Sequence, residues 1–151
     1  MRILYDCLLE RHITDEQAVA AAANLETARL GLRAESDHSL GSSAIRLTAG
    51  EAHAVLRLRK LSAPEFSSLV EYGEYDRVCE FAVFSLTPEN VGLCWDALIV
   101  TVLTLDCPVW LSSETYGRDA ISPHAEVRVA QLSGSFGHIL EPNEFMNLAG
   151  Q

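Results

Sequence analysis

Lysine is almost missing from this sequence. Of its 11 basic residues only Lys60 is a lysine, and 21 acidic residues leave a net charge of −10. A chain so short of positive charge is not built mainly to grip nucleic-acid phosphate, which calls for a basic face. Glycine and proline are scarce too, 9 and 5 residues in 151, which excludes collagen-like or linker-dominated architecture. Long hydrophobic runs are absent. The longest, residues 97–105, falls well short of the roughly 20 residues needed to span a bilayer. Asp6 and Glu10 interrupt the apolar N-terminal stretch, so no signal-peptide core is visible and a cytoplasmic protein without a membrane partner is expected. No two of the four cysteines (Cys7, Cys79, Cys94, Cys107) form a C-x-x-C pair. Three of them sit in apolar stretches, and buried, reduced thiols are expected rather than a disulfide framework.

What is present suits one folded domain. Hydrophobic residues make up 48% and charged residues 21% of the chain, enough to bury a core. Residues 2–9 read as a strand. Thr14-Asp15-Glu16-Gln17 is a capping box that opens an Ala-rich helix, and Gly31 ends it. Residues 34–43 read as loop. Residues 44–48 and 52–60 alternate with period 2 around Ala49-Gly50 and predict a β-hairpin. Thr48-Ala49-Gly50-Glu51 also fits a capping box, so a helix is the competing reading there. Ser62-Ala63-Pro64-Glu65 opens a short helix ending near Tyr72-Gly73. Residues 77–86, rich in Val and Phe, predict a strand. Thr87-Pro88-Glu89-Asn90 opens a largely buried helix to Leu105, whose β-branched residues leave a strand as the alternative. Residues 109–112 follow as a short strand. Strand, helix and strand make a β-α-β unit with a crossover connection. After a loop at 113–123, residues 125–132 alternate as a strand, and the tail ends in one helical turn at 143–148. The expected fold is α+β or two-layer α/β, a single domain over 1–151, with one mixed sheet of about five to six strands and two main helices packed on it.

Motifs for chemistry fail one after another. No two of His12, His38, His53, His124 and His138 stand at i, i+4, and no Cys/His cluster appears, so neither metal nor cofactor is expected. Gly134-Ser135-Phe136-Gly137 lacks the glycine that a nucleophile elbow needs two residues before its serine. Ser112, Ser113, Asp119 and His124 lie close in sequence, but a polar loop collects such residues anyway. No P-loop or dinucleotide fingerprint is present. No cysteine has surroundings that would activate a thiolate.

Two surfaces remain. The first is an acidic-aromatic run, Glu71, Tyr72, Glu74, Tyr75 and Asp76, suited to a partner's arginines. Its plainer reading is a solvated connection. The second is a stripe of Arg46, Arg57 and Arg59, a candidate anion-binding site if the hairpin places them on one face. Its plainer reading is internal ion pairing or protection of an edge strand. Charge is polarised as well. Residues 31–60 carry five basic and three acidic side chains, residues 61–90 one basic and six acidic.

The reading that follows is a non-enzymatic acidic binding protein whose partner is a protein with a basic surface. In size, charge and lack of a catalytic motif the profile resembles bacterial immunity proteins, which neutralise a cognate toxin, often a basic nuclease. The resemblance implies an inhibitor and assigns no residues. Two other readings stand beside it. One is a small-molecule enzyme or ligand-binding domain whose site lies near His124, the first choice of general base. The other is an oligomeric adaptor or structural subunit that assembles through an exposed sheet edge.

Overall fold

The computed structural model describes residues 1–29, 31–41, 43–60, 75–111 and 138–149. Strand β1 (Arg2–Glu10) leads through a tight turn into helix α1 (Asp15–Ala28). The capping box forms as the sequence predicts. Thr14 Oγ1 accepts from the Gln17 amide at 3.1 Å, and Gln17 Oε1 accepts from the Thr14 amide at 2.8 Å. Then come β2 (Leu32–Ser36), a 3₁₀ turn (His38–Leu40), and the hairpin β3 (Ala44–Ala49) and β4 (Ala52–Lys60). Gly50 takes φ 62° in the hairpin turn, where a residue without Cβ is unstrained. Further on lie β5 (Tyr75–Val83), helix α2 (Pro88–Leu105), β6 (Val109–Leu111), β7 (His138–Leu140) and helix α3 (Pro142–Ala149).

The fold is α+β. Seven strands form one sheet in the order β2-β3-β4-β5-β1-β6-β7. Every pairing among the described strands is antiparallel, in place of the mixed sheet that the sequence predicts. The parallel component survives at one remove. Because β1 is antiparallel to both β5 and β6, those two run the same way with β1 between them. The crossover through α2 is therefore a split β-α-β unit. Three further elements differ from expectation. Residues 34–36, which read as loop, belong to β2, whose short alternation Leu32-Arg33-Ala34-Glu35 the loop assignment overlooks and whose ladder is completed by pairing with β3. Strand β7 has no counterpart in the sequence reading, and the single terminal turn is the helix Pro142–Ala149. The helix expected at 62–73 and the strand expected at 125–132 lie outside the described residues.

One sheet face carries the helix-packed part of the core, and Leu8, Val55, Val78 and Ala82 on the other face are buried as well. Tyr5, Cys7 and Leu9 of β1, Leu47 of β3, Leu56 of β4, and Cys79, Phe81 and Val83 of β5 join α1 and α2 side chains in a single hydrophobic cluster. Trp95 of α2 packs edge-on against Tyr5 at 5.6 Å and against Phe145 of α3 at 5.6 Å, so one aromatic column fastens both helices to the sheet. By length and mean hydropathy (1.2) α2 is apolar enough to cross a membrane, but half of it is buried within the domain. All four cysteines are buried and free. Burial pushes the Cys94 thiol up to about 12 and also raises Cys79 and Cys7, the last helped by its hydrogen bond with Cys107.

Candidate functional site

The arginine stripe lies on the sheet face opposite the helices. Arg57 stands directly across from Glu80, Arg59 across from Val78 and Arg46 across from Val55. Glu80 is only 1% exposed. Both arginines of β4 converge on it. Arg57 Nε donates to Oε1 at 2.9 Å, and Arg59 Nε donates to Oε2 at 3.1 Å. Their side chains remain 30% exposed, against 1% for that of Glu80. Buried Asp6 faces Glu80 from the other side in the same cross-strand row. Arg46 pairs with Asp37 at 3.0 Å and lies 5.8 Å from the centroid of the Phe84 ring, which is 53% exposed. Each arginine of the stripe thus has a carboxylate partner within the chain, an ion-pair row whose arginine side chains remain 42%, 30% and 30% exposed for Arg46, Arg57 and Arg59.

The acidic run falls only partly within the described residues, since Glu71, Tyr72 and Glu74 lie outside them. Tyr75 opens β5, and Asp76 accepts from Arg77 Nε at 3.0 Å. Arg77 is a clamp. It bonds Asp15 of α1, the Ile13 carbonyl, and the Glu10 carbonyl at 3.2 Å, tying β5 to the turn between β1 and α1. The region from Ser112 to His124 is likewise outside the described residues.

The helix side has a groove that the sequence does not announce. Helices α1 and α2 run antiparallel, as the contact Asn24–Thr104 (3.2 Å) and the ion pair Arg29–Asp96 (2.5 Å) show. Between them lies a trough of about 340 Å³ floored by Leu25, Ala28, Leu93, Ala97 and Val100. A second trough, about 350 Å³, continues it past Gly92 and Trp95 toward the hairpin turn. Arg29 and Asp96 line both halves. The position of α2 follows from Asn90, which is buried at its N-terminus. Its Oδ1 accepts from the His53 amide of β4 at 2.8 Å, and its Nδ2 donates to the Ser85 carbonyl at 3.0 Å. That cross-link sets Glu89, in the first turn of α2, and Glu51, in the hairpin turn, along the same trough. Both carboxylates are exposed and make no ion pair among the described residues. A local signal exists for one residue that the motif search passes over. Glu80 interrupts the apolar alternation of its strand, and a charge in such a position demands partners. Nothing local marks the groove.

A small polar cleft of about 180 Å³ lies at the far end of α2, lined by Glu10, His12 and Asp106 among others. His12 pairs with Glu10 at 3.0 Å and is 73% exposed. No group of three or more metal-ligating side chains occurs among the described residues. No protein-family model, curated protein or solved structure matches the chain.

Proposed function

We propose that the protein is a non-enzymatic acidic binding protein, an inhibitor of the immunity-protein kind, and that its partner is a basic protein surface such as that of a toxin. One observation carries the reading: among the described residues five arginines are occupied by carboxylates of the same chain, while six exposed carboxylates make no ion pair. Arg29, Arg46, Arg57, Arg59 and Arg77 all bind carboxylates of their own chain. Glu16, Glu51, Glu89, Asp106, Glu141 and Glu144 are exposed and make no ion pair among the described residues. Such a surface accelerates encounter with a basic partner and offers bidentate acceptors to its arginines. The acidic run Glu71, Tyr72, Glu74, Tyr75 and Asp76 adds aromatic contact area to the same charge, although Asp76 must share its carboxylate with Arg77.

The test is affinity capture with the wild type and with the variant Glu71→Ala/Glu74→Ala/Asp76→Ala, at low and high salt, with the captured proteins identified. The wild type is expected to retain a basic protein that the variant loses, and high salt narrows the difference between them. Equal recovery of the same partners by both proteins overturns the acidic-run interface.

A further inference from the structure

We propose that the groove between α1 and α2 is the docking cleft for one amphipathic helix of the partner, carrying arginine or lysine beside its apolar stripe. The inference rests on the acidic-binder reading above and places it on this helix pair. Three observations converge on that occupant.

Each trough has an apolar floor, and the two meet at the Arg29–Asp96 pair that lines both. Leu25, Leu93, Ala97 and Val100 line one trough, and Gly92 and Trp95 line the next. Along α2 the lining runs from Pro88 to Val100, about 18 Å at 1.5 Å per residue. That is three turns of a helix, enough for anchors at i, i+3 or i+4, and i+7. The rim is negative: Glu51, Glu89 and Asp96 against the single cation Arg29. The C-terminal end of α1, where Ala28 and Arg29 line the first trough, adds the negative pole of its helix dipole. An anionic lipid or nucleotide is repelled by such a rim, whereas a cationic flank is drawn to it.

The third observation is the ion pair across the middle. Arg29 and Asp96 are 39% and 54% exposed, so their bond lies in water and is readily exchanged. An incoming guanidinium takes the place of Arg29 on Asp96, no carboxylate is left bare, and Arg29 turns to solvent. The two troughs then become one cleft without rearrangement of the backbone.

Gly92 allows groove and charge to be tested apart. A Cβ built at Gly92 meets nothing within 4 Å, so Gly92→Leu fills the cleft while every charge stays in place, and Gly92→Ala serves as the control for the backbone change. Glu51→Gln/Glu89→Gln removes charge and leaves the shape. The probe is a synthetic 16-residue helical peptide with leucines on one face and arginines on its flanks, titrated calorimetrically into the full chain at two salt concentrations. Circular dichroism and thermal melts establish that each variant is folded. Gly92→Leu is expected to weaken binding at least about tenfold, Gly92→Ala to leave it unchanged, and the glutamine pair to weaken it about threefold and flatten the salt dependence. If Gly92→Leu binds as the wild type does while the glutamine pair weakens, the peptide is held by charge elsewhere; the cleft is then wrong and the acidic-binder reading stands. If the wild type does not bind the peptide at all, the cleft falls. The acidic-binder reading falls with it only if the capture experiment also shows no dependence on acidic residues.

Discussion

Glu80 shows how expensive a single buried side chain can be to disturb. It is sealed from water, and the two arginines that neutralise it are not. The costs of deletion are therefore unequal. Arg57→Ala/Arg59→Ala leaves a buried carboxylate without these two cations, and is expected to cost about 3–5 kcal/mol. Glu80→Ala is expected to cost less, because the two arginine side chains are already 30% exposed and can rehydrate more readily than a sealed carboxylate. Urea unfolding midpoints of the two variants check the order; a reversed order means that the arginines are not solvated as described. Asp37 makes a second prediction. Hydrogen bonds from Ser39, chiefly from its side chain, and then the nearby Arg46 hold its carboxyl below the usual carboxylate value. A depressed folded pKa means that its contribution to stability is present above the ordinary pKa and lost as pH falls through the folded value. Titration of the Asp37 carboxyl by NMR should give a midpoint below the ordinary one, and Ser39→Ala should move it back up.

Strand β2 decides whether the molecule has an open edge. It ends the sheet and pairs only with β3. An edge like this is a template for another chain unless its outward donors are occupied. Here two of them, at Leu32 and Ala34, are occupied from within. The Leu32 amide donates to the Arg29 carbonyl at 3.3 Å, and the Ala34 amide donates to Glu26 Oε1 of α1 at 2.8 Å. Self-association through an exposed edge meets that guard at β2. Glu26→Ala removes it and is expected to produce concentration-dependent dimers in sedimentation velocity, while Glu26→Gln, which keeps an acceptor, stays like the wild type. Dimers formed equally by both variants would show that the side chain at 26 does not cover the edge. Helix α2 is the other element with more than one task. It completes the split β-α-β unit, buries the core face of the sheet and forms one wall of the groove.

For the whole molecule, the four thiols report on integrity. All are buried, and Cys7, Cys79 and Cys94 resist ionisation. A thiol-reactive disulfide reagent at neutral pH should leave the native protein unmodified and titrate four groups once denaturant unfolds it. Rapid modification of any one under native conditions would mean that the core opens locally. At this scale five arginines hold carboxylates of their own chain, while six exposed carboxylates make no ion pair among the described residues. The acidic-binder proposal rests on that contrast.

Signals held within a few residues are legible in the sequence itself. The capping box at Thr14, the Thr87 cap followed by Pro88, and the period-2 run of β4 depend on a backbone and its nearest neighbours, and each element stands where those signals put it. Strand β2 is harder to read because its alternation, Leu32-Arg33-Ala34-Glu35, is brief and weakly apolar, and pairing with β3 is what holds it as a strand. The arginine stripe is visible in the sequence, but its meaning is not. Glu80 lies 23 residues from Arg57, and only the antiparallel register of β4 on β5 brings them together. The groove needs more still: the antiparallel approach of α1 to α2 and the Asn90 cross-link that sets Glu89 along the same trough as Glu51. Composition and local pattern thus determined the two capped helices, the hairpin and the sign of the net charge. Which carboxylates are spent inside and which remain for a partner was decided by long-range packing, because burying one face of a sheet fixes the register of every strand upon it.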